Sequence, residues 1–89
     1  FFKRNLKKTT FRNSKLEETD FTEAVLSGSV FDGCDLNRAI FDDTNLEKVD
    51  FRTSFNFSID PEKNHIRNAK FSLSGIKGLL EKYSIFIED

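Results

Sequence analysis

The sequence predicts an all-β solenoid: a parallel β-helix with four sides and about 20 residues per coil, closed at its C-terminus by a short α-helix and a terminal strand. Three observations lead there. Large apolar residues recur every five positions without interruption, at Leu6, Phe11, Leu16, Phe21, Leu26, Phe31, Leu36, Phe41, Leu46 and Phe51, and Phe1 extends the series. Two positions before each centre, from residue 9 onward, stands a small or compact residue: Thr9, Ser14, Thr19, Ala24, Ser29, Cys34, Ala39, Thr44 and Val49. The remaining positions are mostly polar, and their charges favour opposite signs 20 residues apart.

A period of five fits neither the 3.6 of a helix nor the 2.0 of a strand, so neither element could bury every centre on one side. A chain that turns a corner every five residues can, with successive coils stacked as parallel strands about 4.8 Å apart. The number of sides follows from the charges, because residues one coil apart become neighbours and like charges there repel. Within residues 1–52, an offset of 20 gives five opposite pairs (Lys3 with Glu23, Arg12 with Asp32, Asp32 with Arg52, Lys15 with Asp35, Glu18 with Arg38) and one like pair, Glu23 with Asp43. Offsets of 15 and 25 give three against four and two against two. Four sides place the Phe centres on two opposite faces and the Leu centres on the other two.

The units Ala39-Ile40-Phe41-Asp42-Asp43 and Thr44-Asn45-Leu46-Glu47-Lys48 resemble the motif of the pentapeptide-repeat family: Ala, then Asp or Asn, then Leu or Phe, then two variable residues. The position before the centre is a looser fit, with Asn5, Asp20, Asp35, Asn45 and Asp50 but also Val25, Val30 and Ile40. The resemblance covers residues 1–55. It implies a right-handed quadrilateral β-helix and a rigid, non-enzymatic scaffold that binds a protein partner through one face. Relatives in the quinolone-resistance branch imply an alternative, since they are rod-shaped acidic dimers that imitate DNA and bind DNA gyrase or topoisomerase IV.

Taken along the chain, Phe1 already stands at a column position, so the sequence reads as the C-terminal part of a longer array. Residues 1–55 are regular. The next centres would be Asn56 and Pro61, and neither can fill an apolar column; proline also lacks the ladder donor. Residues 54–65 therefore read as an irregular excursion, with Phe55, Phe57 and Ile59 replacing the missing centres. Ile66 and Phe71 return to phase, with Ala69 at the small position, completing a β-helix over 1–71. From Ser72 the period changes. Ile76, Leu79, Leu80 and Tyr83 share a helical stripe with Ser72 or Ser74 as N-cap, although Gly75 and Gly78 weaken it. Residues 84–89 alternate as a strand, so 72–89 forms the cap that a solenoid end requires.

With 89 residues, a net charge of −1 and no apolar run near the roughly 18 residues of a membrane span, the chain is expected to bind neither nucleic acid directly nor a membrane. The expected compartment is the cytosol. No cofactor, metal or catalytic motif emerges. His65 is the lone imidazole and reads as a surface residue, while Cys34 occupies an inward position where a thiol behaves as a small hydrophobe. Gly28 and Gly33 stand at corners.

Charge is distributed unevenly. Residues 3–15 carry six basic and no acidic side chains, whereas 17–50 carries ten acidic and two basic, a local charge of −8. Asp20, Glu23, Asp42 and Asp43 share one side, with Glu17 and Glu18 at its leading corner, and these six form the candidate face for a basic protein partner. Val25, Val30 and Ile40 point outward as well. In the tail, Ile76, Leu79, Leu80, Tyr83 and Phe86 are candidate cap or dimer contacts, and a homodimer through the C-terminus is the expectation drawn from family dimers.

Overall fold

Turning a corner every five residues places a special demand on the backbone, and the chain meets it the same way each time. The computed structural model describes residues 1–88. From Lys3 to Lys48, the residue two past every centre has a positive φ, between 49° and 74°. The amide one residue further on closes a turn onto the centre's carbonyl, as from Ala24 to Phe21 and from Ala39 to Leu36, both at 3.0 Å. A positive φ at the third turn residue alone is the type II pattern. For an L-residue it costs about 1–2 kcal/mol, so Gly28 and Gly33 sit at corners where glycine is at ease. Several corners gain a compensating contact from the residue before the centre. Asp20, Asp35, Asn45 and Asp50 each accept the amide two residues on, between 2.9 and 3.1 Å, an Asx-turn that supports the bend.

Short extended sides join these corners. Two strands, β1 (Thr10–Arg12) and β2 (Val30–Asp32), pair in parallel with Phe11 opposite Phe31. Isolated parallel bridges continue the ladder on the other sides, from Asn5 with Val25 to Asp50 with Lys70. Every one joins residues 20 apart. The result is a β-solenoid in which each coil hydrogen-bonds to the next.

Inside, the centres form columns. Phe1, Phe21 and Phe41 stack with centroids 5.5 and 5.1 Å apart, and Phe11, Phe31, Phe51 and Phe71 stack at 4.9, 5.3 and 5.2 Å, all with planes within 12°. Rings of the two columns meet edge to face, as Phe21 meets Phe31 at 5.7 Å and 80°. Both geometries suit the ring quadrupole, and such pairs contribute about 0.5–1.5 kcal/mol each beyond area burial. Leu16, Leu26, Leu36 and Leu46 are buried between them, and Leu6, Phe11, Ile66 and Phe71 are partly buried against the same core.

The small residues prove to be hydrogen-bonding groups as well as space-savers. Ser29 Oγ donates to the Leu6 carbonyl at 2.7 Å and accepts the Thr9 amide at 3.0 Å. Thr44 Oγ1 donates to the Phe21 carbonyl at 2.8 Å, and Cys34 Sγ to the Phe11 carbonyl at 3.3 Å. In each case the acceptor lies 23 residues back, on a centre of the preceding coil, so each of these side chains ties its own corner to the corner carbonyl of the coil before it.

Residues 54–65 keep the register, since Asp35 bridges Phe55 and Asn45 bridges His65. The filling of the column differs from the sequence expectation in one member. Phe57 and Ile59 are buried, but Phe55 is 48% exposed. Phe55 stands one before the empty centre and takes the bridge to Asp35, which turns its side chain outward with the other residues of that position. Phe57 packs instead on Phe51 and Phe71, at 5.4 and 5.7 Å.

The cap also differs. In place of an α-helix there are two 3-10 helices, Leu73–Leu79 and Glu81–Tyr83. Ser72 is the N-cap, its Oγ accepting the Gly75 amide at 3.1 Å. The glycines explain the tighter winding: they are poor α-formers, and they are held by contact with the coil. A Cβ on Gly78 would lie 2.5 Å from the Phe57 carbonyl oxygen and 2.7 Å from its ring. That close approach lets the Ile59 amide donate to the Gly78 carbonyl at 2.8 Å. No strand forms over residues 85–88, because their backbone finds no ladder to join; Asp89, the last residue of the expected strand, lies outside the described residues.

Candidate protein-interaction faces

Because the centres and small residues point inward, function has to reside on the corners and outward positions. All six predicted acidic residues, Glu17, Glu18, Asp20, Glu23, Asp42 and Asp43, are exposed. The ladder stacks Glu23 beneath Asp42 and Asp43, with the Glu23 amide donating to the Asp42 carbonyl at 3.0 Å. Asp20 pairs with Ile40 on the same side. Glu17 and Glu18 stand one corner away, where the Glu18 amide donates to Asn37.

The like-charged pair Glu23 and Asp43 is relieved in opposite directions along the axis. Glu23 meets Lys3 of the preceding coil at 3.6 Å, and Asp43 lies 3.7 Å from the His65 imidazole of the following one, a contact that is an ion pair only when that imidazole is protonated. Of the five opposite pairs expected from the offset, Lys3 with Glu23 and Arg12 with Asp32 (3.5 Å) are ion pairs. Arg52 turns instead to Asp50 in its own side, with a bidentate contact whose shorter arm is 2.9 Å. That guanidinium is the main reason the Asp50 carboxyl lies below its ordinary value. Asp32 accepts the Thr53 hydroxyl at 2.8 Å, and Asp35 accepts the Asn56 amide at 3.1 Å. These exposed pairs contribute little to stability.

Sequence reasoning missed Glu62, which extends the acidic corner by one coil but sits in the irregular stretch. Its carboxylate is shared with the cap: Lys82 Nζ lies 3.0 Å from both Glu62 Oε1 and Asp60 Oδ1, and the Tyr83 hydroxyl donates to Glu62 at 3.2 Å. The Lys82 hydrogen bond lowers Glu62 from its ordinary value, and the Glu62 backbone amide, followed by Lys82, lowers Asp60. Lys82 itself is raised by both acids. Depressed carboxyls stabilise the docked cap above their unfolded values, near 3.8 and 4.5, and that contribution is lost as pH falls through the lower folded values. The raised lysine contributes below about pH 10.5 and loses its effect above that. Limited proteolysis is therefore expected to cut the segment after Ser72 faster at pH 3 than at pH 7, and a Lys82→Ala variant is expected to show less of that difference.

The apolar tail divides. Leu79 packs on the core and Leu80 is half-buried, while Ile76 and Tyr83 are exposed and Phe86 is 96% exposed. Cys34 is buried and free, and His65 is exposed. Among the described residues, no cluster of His, Cys, Asp and Glu could hold a metal ion, and no helix is long and apolar enough to cross a membrane.

A coil built from five-residue corners, with stacked Phe and Leu columns and all its polar variety outside, defines a β-solenoid of the repeat-protein class. The family description "Pentapeptide repeats" matches residues 5–43 and 19–54, in eight copies. The chain belongs to the pentapeptide-repeat family. No curated protein sequence matches it. Among solved structures, two trypsin-treated variants of QnrB1, a plasmid-mediated fluoroquinolone resistance protein, are similar at 22% identity and a TM-score of 0.47. The alignments cover 96% and 99% of this chain but 42% and 45% of those, so the chain spans less than half of their length.

Proposed function

We propose that the chain is a rigid, non-enzymatic interaction scaffold that meets a basic protein partner through the face carrying Asp20, Glu23, Asp42 and Asp43, with Glu17 and Glu18 at its border. The observation that supports this is the stacking of Glu23, Asp42 and Asp43 on one corner, held by coil-to-coil hydrogen bonds rather than by their own side chains. A preformed charged corner needs no ordering on binding, so its complementarity goes into steering and specificity. The shape that accompanies this reading is a right-handed, four-sided β-helix over 1–71, with 72–89 as a separate cap. The double replacement Asp42→Lys with Asp43→Lys should leave the circular dichroism spectrum and thermal transition unchanged and weaken capture of a basic partner about tenfold or more. Unchanged capture would place the interaction on another face.

The exposed Ile76, Tyr83 and Phe86 suit a homodimer contact through the tail, because three large apolar side chains lie at one end of the molecule. Sedimentation equilibrium should find a dimer that Phe86→Asp converts to monomer; a monomer with the tail intact rules the contact out.

The alternative, a DNA mimic that binds DNA gyrase or topoisomerase IV, draws on the acidic run at 17–50. The basic corner beside that run counts against it, since a DNA-like rod must keep one sign of charge where its partner grips. A gyrase supercoiling assay is accordingly expected to show neither inhibition nor protection from quinolones.

A further inference from the structure

The corner after the Leu6, Leu26 and Leu46 centres has a different character from the acidic one. Its two outward positions run Lys7-Lys8, Ser27-Gly28, Glu47-Lys48 and Arg67-Asn68 on successive coils. At the second coil both side chains shrink, and a trough of about 510 Å³ opens there. Gly28 is not required by the backbone, because Lys8 and Lys48 hold the same conformation at φ 53° and 60°. Its effect is to remove a side chain: a Cβ there would come within 3.3 Å of Lys8 Cγ, whose stem lies along the trough. Lys7 and Lys8 line one end, and Lys48 and Arg67 the other. None of these four cations makes an ion pair among the described residues, and Glu47 is the one carboxylate lining the space.

From this geometry we infer that the trough binds an extended acidic peptide segment, independently of the acidic face described above. Coils lie about 4.8 Å apart, so Lys8 and Lys48 are about 10 Å apart along the axis, and Lys7 and Arg67 about 14 Å. An extended peptide advances about 3.3 Å per residue, which sets carboxylates at alternate positions over about 13 Å for three of them. One such strand lying along the trough meets cations at both ends, with the bare Ser27-Gly28 step admitting its backbone. A single phosphate fits less well, because the cations are spread over four coils and the amides of Lys8, Gly28 and Lys48 are already given to the ladder. A nucleotide would find no aromatic ring lining the space on which to stack. A nucleic-acid duplex is broad enough to bring its phosphates against the neighbouring acidic corner of Glu23, Asp42 and Asp43.

Fluorescence anisotropy with a short labelled peptide carrying Asp at alternate positions tests this, using the full chain. The peptide should bind, bind more weakly as salt is raised, and lose at least about tenfold in affinity in the Lys8→Glu, Lys48→Glu double variant and in Ser27→Glu. The Glu23→Gln, Asp42→Asn variant should retain or strengthen binding. All these positions are outward, and circular dichroism confirms that each variant is folded. No binding, equal binding by the Lys8 and Lys48 variant, or displacement of the peptide by tripolyphosphate or a single-stranded oligonucleotide at lower concentration than by unlabelled peptide would each overturn the proposal.

Discussion

Phe31→Asp is expected to abolish folding. Phe31 is wholly buried, with Phe11 and Phe51 stacked on its two sides and Phe21 edge-on. A carboxylate there has no cation, no backbone donor and no water within reach, and an unpaired buried charge costs more than a domain's whole margin of about 5–15 kcal/mol. The variant should lack a cooperative thermal transition by circular dichroism. The milder Phe31→Ala should cost about 3–5 kcal/mol, as deletions of buried aromatic rings do. Phe11→Ala should cost clearly less, because that ring is only partly buried. Persistence of a sharp transition in Phe31→Asp would contradict the column.

Asn64→Leu is expected to cost about 4 kcal/mol although it exchanges a buried amide for an apolar group of similar size. Asn64 replaces the small residue of its unit and serves three backbone groups at once. Its Oδ1 accepts the Thr44 amide at 3.0 Å, and its Nδ2 donates to the carbonyls of Phe41 and Asp60, both at 3.0 Å. Leucine would strand the Thr44 amide and the Phe41 carbonyl, at about 1–3 kcal/mol for each group that stays dry, while the Asp60 carbonyl keeps the Lys63 amide at 3.1 Å. Thr44→Ser, by contrast, keeps the hydroxyl bond to Phe21 and gives up one methyl, about 1 kcal/mol. Urea titrations of the two variants should separate them by about 3 kcal/mol; equal losses would mean that water reaches the site.

These two residues also mark how far the sequence could be read. Phe31 belongs to a pattern stated ten times over, and repetition of that kind overrides local ambiguity; the columns were legible for that reason. Asn64 belongs to the same positional series as Ser29 and Thr44, but its size hid the relation. Reading that position as merely small overlooked its second property, a donor that reaches the coil beneath. The stretch around Phe55 offered three apolar residues for two vacant centres, and only the ladder decides which face outward. In the cap, Gly75 and Gly78 argue against α-helix by propensity, yet their reason for being there is the Phe57 backbone and ring, a contact from distant sequence. The acidic corner could be found by comparing residues 20 apart. The basic trough could not, because Lys8 and Lys48 are two coils apart and the residue between them is a glycine with no charge to compare.

The hydrogen bond from the Ile59 amide to the Gly78 carbonyl has a consequence for the exposed edge of the last coil. Parallel strands stacked at about 4.8 Å with aligned aromatic rings are also the arrangement of a cross-β fibre, in which every exposed ladder recruits another copy. By donating to a 3-10 turn instead of leaving an open edge, Ile59 ends its ladder on a segment whose winding cannot template a further strand. The missing side chain of Gly78 is what lets the turn come close enough to close that point of the edge.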